Sequence, residues 1–168
     1  MKKKIFILVF FLNLFASLCF ANQNIVFLDL DFIFNNSNLG KKILSNLEQI
    51  NKNINSNIND EQKILIEKEN NIKSSKNILS EEEFKKKVAE FNRELNNFNM
   101  NKQKLILSFN SNRDLEVNNF IKKINPLIQD YMEKNSIDLV LEKKNVFIGN
   151  SKYDITIIIL ELINKKFD

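Results

Sequence analysis

The chain has 168 residues, with 25 Lys+Arg against 21 Asp+Glu, a formal charge of +4 and 43% apolar residues. It holds two Gly, one Pro, one Cys and no His. β-Sandwiches, barrels, Rossmann sheets and Gly-rich phosphate loops need many tight turns, so this composition argues against all of them. The commonest general base and metal ligand is missing, and a single Cys makes neither an intramolecular disulfide nor a thiolate zinc cage. No cofactor is expected, and the composition points to long helices with few corners.

Residues 1–21 read as a cleaved secretory signal peptide. Lys2-Lys3-Lys4 gives a positive start, and Ile5–Phe20 is apolar apart from Asn13 and Ser17. Cys19 and Ala21 then put small residues three and one before a cleavage point. The apolar run is short of the ~20 residues of a spanning helix, which speaks against an uncleaved anchor. Bulky Leu18 before Cys19 speaks against a lipoprotein signal. Cleavage leaves Asn22–Asp168, 147 residues with one net positive charge and no Cys. Such a chain cannot form wrong disulfides in an oxidising compartment. Near neutrality also gains little from counterion release, so no nucleic-acid partner is expected.

Ile25-Val26-Phe27-Leu28 reads as a buried strand ending near Leu30. Asn35-Asn36-Ser37-Asn38 reads as a loop, with Ser37 the N-cap of a helix over Asn38–Lys73. Gly40 in its first turn lowers helix propensity and suggests a close packing contact. Leu47, Ile50, Ile54, Ile58, Leu65 and Ile72 form a helical stripe with an eleven-residue repeat. Asn57, Glu61 and Lys68 interrupt that seam.

Ser74–Asn77 breaks the pattern, and Ser80 with Glu83 is a capping box that opens a second helix, Glu81–Lys134. Its heptad runs Phe84, Val88, Phe91, Leu95, Phe98, continues through Lys102, Leu105 and Phe109, and shifts to Val117, Phe120, Ile124, Ile128 and Tyr131. A short break between mismatched stripes favours an antiparallel hairpin over one continuous helix in a parallel coiled coil. Pro126 predicts a kink rather than an end, because the apolar pattern continues beyond it. Ile137–Glu142 and Asn145–Gly149 read as two strands of a β-hairpin turning at Lys143-Lys144. Asp154 can N-cap a last helix, Ile155–Lys166.

The expected organisation is α+β and mostly helical. An arm spans 38–134, with its tip near 74–80 and its kink near 126. A β-body is assembled from 22–37 and 135–168. Fifty residues of body bury too little surface to stand alone. An obligate oligomer of cyclic symmetry is therefore expected. Ile25, Val26, Phe27, Leu28, Leu139, Val140, Leu141, Val146, Phe147 and Ile148 would supply its shared core. Residues 41–134 carry 17 Lys+Arg against 14 Asp+Glu, and Lys85-Lys86-Lys87 lies near the tip. That bias reads as a solvated helix face, or as attraction to acidic chains or an acidic membrane surface. Without His, an enzyme would need Ser/Lys or paired carboxylates, which fall mainly on solvated helix faces, so no enzyme is expected.

In their order these features resemble the Skp/OmpH family of periplasmic chaperones. The likeness runs over Ile25-Val26-Phe27-Leu28-Asp29, Phe32-Ile33-Phe34 and Ser37-Asn38-Leu39-Gly40-Lys41. It resumes with Asp138-Leu139-Val140-Leu141, Val146-Phe147-Ile148 and Asp154-Ile155-Thr156. The resemblance implies a jellyfish-like homotrimer with three α-helical arms on a small β-body. It also implies a periplasmic location and a holdase role, unfolded outer-membrane β-barrel proteins being held between the arms. Acidic membrane lipids are a further partner to consider. Contacts at the arm tip would come from Lys73, Lys76, Phe84, Lys85, Lys86 and Lys87. The rival reading is a structural coiled-coil spacer or tether in the cell envelope.

Overall fold

The computed structural model describes residues 23–167, so the signal peptide read over 1–21 lies outside the described residues. Strand β1 (Ile25–Leu28) leads into a short helix α1 (Leu30–Asn36). The long helices α2 (Asn38–Ser75) and α3 (Glu81–Lys134) follow, then strand β2 (Leu139–Glu142) and helix α4 (Thr156–Lys166).

Three of the four helix starts have a side-chain cap, whereas α4 has Ile155 in the N-cap position, one residue beyond the Asp154 read from the sequence, with no side-chain cap bond. The Asp29 carboxylate accepts from the Phe32 amide at 2.8 Å and opens α1. Ser37 Oγ accepts from the Gly40 amide at 3.1 Å and opens α2. Ser80 and Glu83 form a reciprocal capping box at the start of α3, where Glu81, Glu82 and Glu83 complement the helix dipole. Helix α3 runs through Pro126 without ending.

α2 and α3 are antiparallel. Leu65 lies beside Phe98 and Asn101, and Leu47 beside Phe109, Arg113 and Val117. Phe120 and Ile124, further along α3, are fully buried in the body core. There they join Val26, Leu28, Ile33, Ile137, Ile155, Ile159 and Ile163. Phe34 of α1 meets Phe120 edge-on, with ring centroids 4.9 Å apart. The body core is thus built from both chain ends and the root of α3.

Two sequence expectations fail here. The segment read as a loop from Asn35 is the end of α1, where Asn35 and Asn36 side chains donate back to the carbonyls of Asp31 and Phe32. The expected C-terminal β-hairpin does not form. Lys143–Asn145 coils into a 3-10 turn closed by the Val146 amide on the Lys143 carbonyl, so the chain does not fold back beside β2. Val146–Gly149 is not a strand. β2 pairs instead with β1, in parallel, from Ile25↔Leu139 to Leu28↔Glu142. Parallel pairing needs a long crossover, and the whole arm supplies it.

Candidate functional site

The arm is a thin two-layer object. Leu47, Ile58 and Leu65 are the buried residues of its α2 side, and the α3 heptad from Phe84 to Phe109 is only half-buried. Two helices alone cannot enclose their apolar faces, so the seam stays partly wet. Lys68 crosses it to Glu94 at 2.7 Å, with about half of each side chain exposed. A shallow groove of about 420 Å3 beside this pair is lined by Leu65 and Phe98.

The arm also carries apolar residues on its outer side. On a helix turning about 100° per residue, Met100 and Leu107 fall roughly opposite Leu105 of the seam heptad, and Leu115 falls about 80° from it, on the flank. All three are exposed, Met100 by 70% and Leu107 by 60%. These residues lie off the heptad, and the i, i+7 spacing of Met100 and Leu107 was the signal that sequence reading passed over.

The six arm-tip residues of the sequence reading do gather around the turn between Ser75 and Ser80. Lys73 sits in the last turn of α2 and pairs with Glu69 at 2.6 Å, while Lys76 is its exposed C-cap. Lys85 pairs with Glu81 at 2.6 Å, and Lys86 and Lys87 are exposed. Phe84 is half-buried in the first turn of α3. The tip also holds Ile78, 82% exposed, which sequence reading assigned to a polar break. Hydrogen bonds from the Ser80 hydroxyl and amide hold the Glu83 carboxyl below the usual range, with Lys87 adding to the effect.

Of the ten residues expected in the oligomerisation core, the seven on the two strands divide between the two faces of the sheet. Val26 and Leu28 are buried in this chain's own core, and Val140 is half-buried against it. Ile25, Leu139 and Leu141 alternate to the other face and are exposed. Phe27 shares that face and is covered by the segment at Gly149. Val146 is half-buried, whereas Phe147 is 100% exposed and Ile148 is 86% exposed.

A polar latch closes the body. The Asp154 carboxylate accepts from Lys143 Nζ at 2.8 Å, from the Thr156 amide at 3.0 Å and from the Thr156 hydroxyl. Thr156 Oγ1 in turn accepts from the Asp29 amide at 2.9 Å. Burial pushes the Asp154 carboxyl up, but the bonds from Lys143 and Thr156 outweigh it and hold the group below the usual aspartate range. The same partner raises Lys143, and the Glu142 carboxylate raises Lys144.

Where the arm joins the body, α2 and α3 part to leave a groove of about 890 Å3. Its floor includes Leu44, Leu47, Phe109 and Val117, and Asp31 and Glu48 stand on its rim. Among the described residues, no group of His, Cys, Asp and Glu side chains is arranged to hold a metal ion.

A long two-helix arm, rooted in a small body that knits both chain ends together, defines a class of arm-bearing α+β proteins. A family model of OmpH-like outer membrane proteins matches residues 24–163, and the chain belongs to this OmpH-like family. Its fold is similar to the crystal structure of a candidate outer membrane chaperone (OmpH-like) from Caulobacter crescentus CB15. The two superpose with a TM-score of 0.79 at 15% identity, over 88% of this chain and 87% of that one. No curated protein sequence matches the chain significantly.

Proposed function

We propose that the protein is an ATP-independent holdase chaperone of the periplasm. It works as a homotrimer, binds unfolded outer-membrane β-barrel proteins between its arms and prevents their aggregation. It is not an enzyme and needs no cofactor. Membership of the OmpH-like family supports a chaperone role, as does the fold shared with the Caulobacter protein. The export signal read over residues 1–21 supports the location.

The observation that carries the reading is the pair of exposed apolar residues Met100 and Leu107 on the outer face of a charged arm, with Leu115 exposed on its flank. A holdase lowers the free concentration of an unfolded chain and so slows its self-association. That task suits many weak, interchangeable contacts better than one deep pocket. Apolar side chains spaced along a helix supply such contacts, and the charges around them keep the arm soluble. The lysines at the tip add weak attraction to acidic client segments or to an acidic membrane surface. Ile25, Leu139, Leu141, Phe147 and Ile148 are the apolar surface of the body that further copies would cover.

The test dilutes a urea-unfolded β-barrel protein into buffer with and without the chaperone and follows light scattering. A molar equivalent of trimer suppresses scattering, and sedimentation gives three subunits. A monomeric rod that leaves aggregation unchanged would instead fit an envelope spacer or tether.

A further inference from the structure

The secreted chain offers very little to a peroxide. The sequence holds three Met and one Cys, and neither His nor Trp. Met1 and Cys19 fall in the signal segment read over 1–21, so the chain from Asn22 keeps only the thioethers of Met100 and Met132. A peroxide oxidises a thioether to the sulfoxide and leaves hydroxyl, amide, ammonium and carboxylate groups unchanged.

The two thioethers stand in opposite surroundings. Met132 is half-buried and packed against the body core. Met100 is 70% exposed within α3. With Gln103, Lys104, Leu107, Ser108 and Ser111 it lines a shallow hollow of about 500 Å3 on the outer side of the arm. The spacing of these residues is that of a single helix face, on which Lys104 alone is charged. An oxidant arriving from water therefore meets the sulfur of Met100 first. Methionine also suits this place, because its unbranched thioether adapts to varied apolar partners. The sulfoxide is polar and loses that property.

We propose that Met100 is an oxidation site through which peroxide weakens the arm's hold on unfolded chains. This rests on the holdase reading above and adds a redox-sensitive contact to it. The sulfur lone pair attacks one oxygen of the peroxide, an S–O bond forms and the O–O bond breaks. The transferred oxygen passes its proton to the departing hydroxide, which leaves as water. Sulfur gives up an electron pair and the peroxide is reduced. A methionine sulfoxide reductase reverses the step with a dithiol, returning the thioether, a disulfide and water. Met100 is a surface residue outside the body core, so the fold stands in both states.

The test treats the secreted chain with hydrogen peroxide and removes the peroxide before any client is added. Peptide mass spectrometry should find an added oxygen at Met100 before Met132 gains one. Circular dichroism should give treated and untreated protein the same thermal midpoint. The treated protein should be needed in several-fold larger amount to suppress aggregation of a urea-unfolded β-barrel protein. Stereospecific methionine sulfoxide reductases with dithiothreitol should restore its capture. Met100→Gln, a permanently polar analogue, should match the oxidised parent without treatment. Met100→Leu, whatever its own capture, should be unmoved by peroxide. Oxidation of Met132 as fast as Met100, a lowered midpoint, or capture unchanged by treatment would each overturn the site while leaving the holdase standing. An untreated parent that captures no client removes both.

Discussion

The amide of Asp29 donates to Thr156 Oγ1 at 2.9 Å, a bond that joins residues 127 positions apart in the chain. It ties the turn after β1 to the first turn of α4. Thr156 is only 5% exposed, so water does not replace the hydroxyl readily. Beside it, the Ile155 amide donates to the Phe27 carbonyl at 2.9 Å. The two ends of the chain are thus fastened by backbone and side chain together.

Thr156→Val keeps the shape and removes the acceptor. The Asp29 amide is then left without its partner, and Asp154 loses the hydroxyl that donates to it. The expected loss is about 1–3 kcal/mol of stability, the usual cost of an unmet buried polar group. Urea unfolding followed by circular dichroism measures it, and a midpoint equal to the parent's would refute the latch.

Acid should loosen the same latch in a predictable window. The Asp154 carboxyl lies below its ordinary value when folded, so its contribution is present above that ordinary value of 3.8 and is lost as pH falls through the folded value. Lys143 is raised, so its contribution is kept below its ordinary value of 10.5 and is lost as pH rises beyond the folded value. The pair therefore supports the body across the whole neutral range. Asp154→Asn should flatten the acid limb of a stability-versus-pH curve and leave the alkaline limb less steep. An acid limb unchanged by the substitution would assign the dependence to other carboxylates.

Gly40→Ala tests a close approach. A Cβ on Gly40 would sit 1.7 Å from the carbonyl oxygen of Phe34, which belongs to backbone and cannot swing aside. Alanine favours a helix by about 1 kcal/mol over glycine, so propensity alone predicts stabilisation. Overpacking of about 1–3 kcal/mol opposes it. Because the clash is with backbone, the net result should be a lower thermal midpoint. A midpoint raised by the substitution would mean that α1 yields easily against α2.

How far the sequence revealed this depended on how local each cause was. The start of α3 was legible at Ser80 because a capping box is contained in four residues. The start of α2 at Ser37 was legible for a similar reason. Helix α1 was not, since seven residues rich in Phe, Ile and Asn have poor helix propensity and take their order from Ile33 buried in the core. The pairing of β2 was hidden too. Alternating apolar residues announce a strand but not its partner, and here the partner lies across the entire arm. Phe147 and Ile148 looked like strand residues for the same reason, yet nothing among the described residues covers them. At the arm, the seam was legible from its heptad, while Met100 and Leu107 were missed because attention to the seam discards what falls outside it.

Those outward residues give the sharpest separation of function from stability. Met100 and Leu107 are exposed, lie roughly opposite the α2 seam and are no part of the body core, so placing charge there should not unfold the protein. Surface substitutions of this kind usually stay within about 0.5 kcal/mol. Met100→Lys with Leu107→Lys should therefore keep the thermal midpoint of the parent. It should also require several-fold more protein to suppress aggregation of an unfolded β-barrel client. Ile124→Ala is the contrast, because it opens a cavity in the fully buried core and should cost about 2–5 kcal/mol. Near its midpoint that variant loses capture through unfolding, whereas the charged double variant loses it while folded. If the double variant captures client as well as the parent does, the pair lies on an ordinary solvated face and client contacts lie elsewhere on the arm.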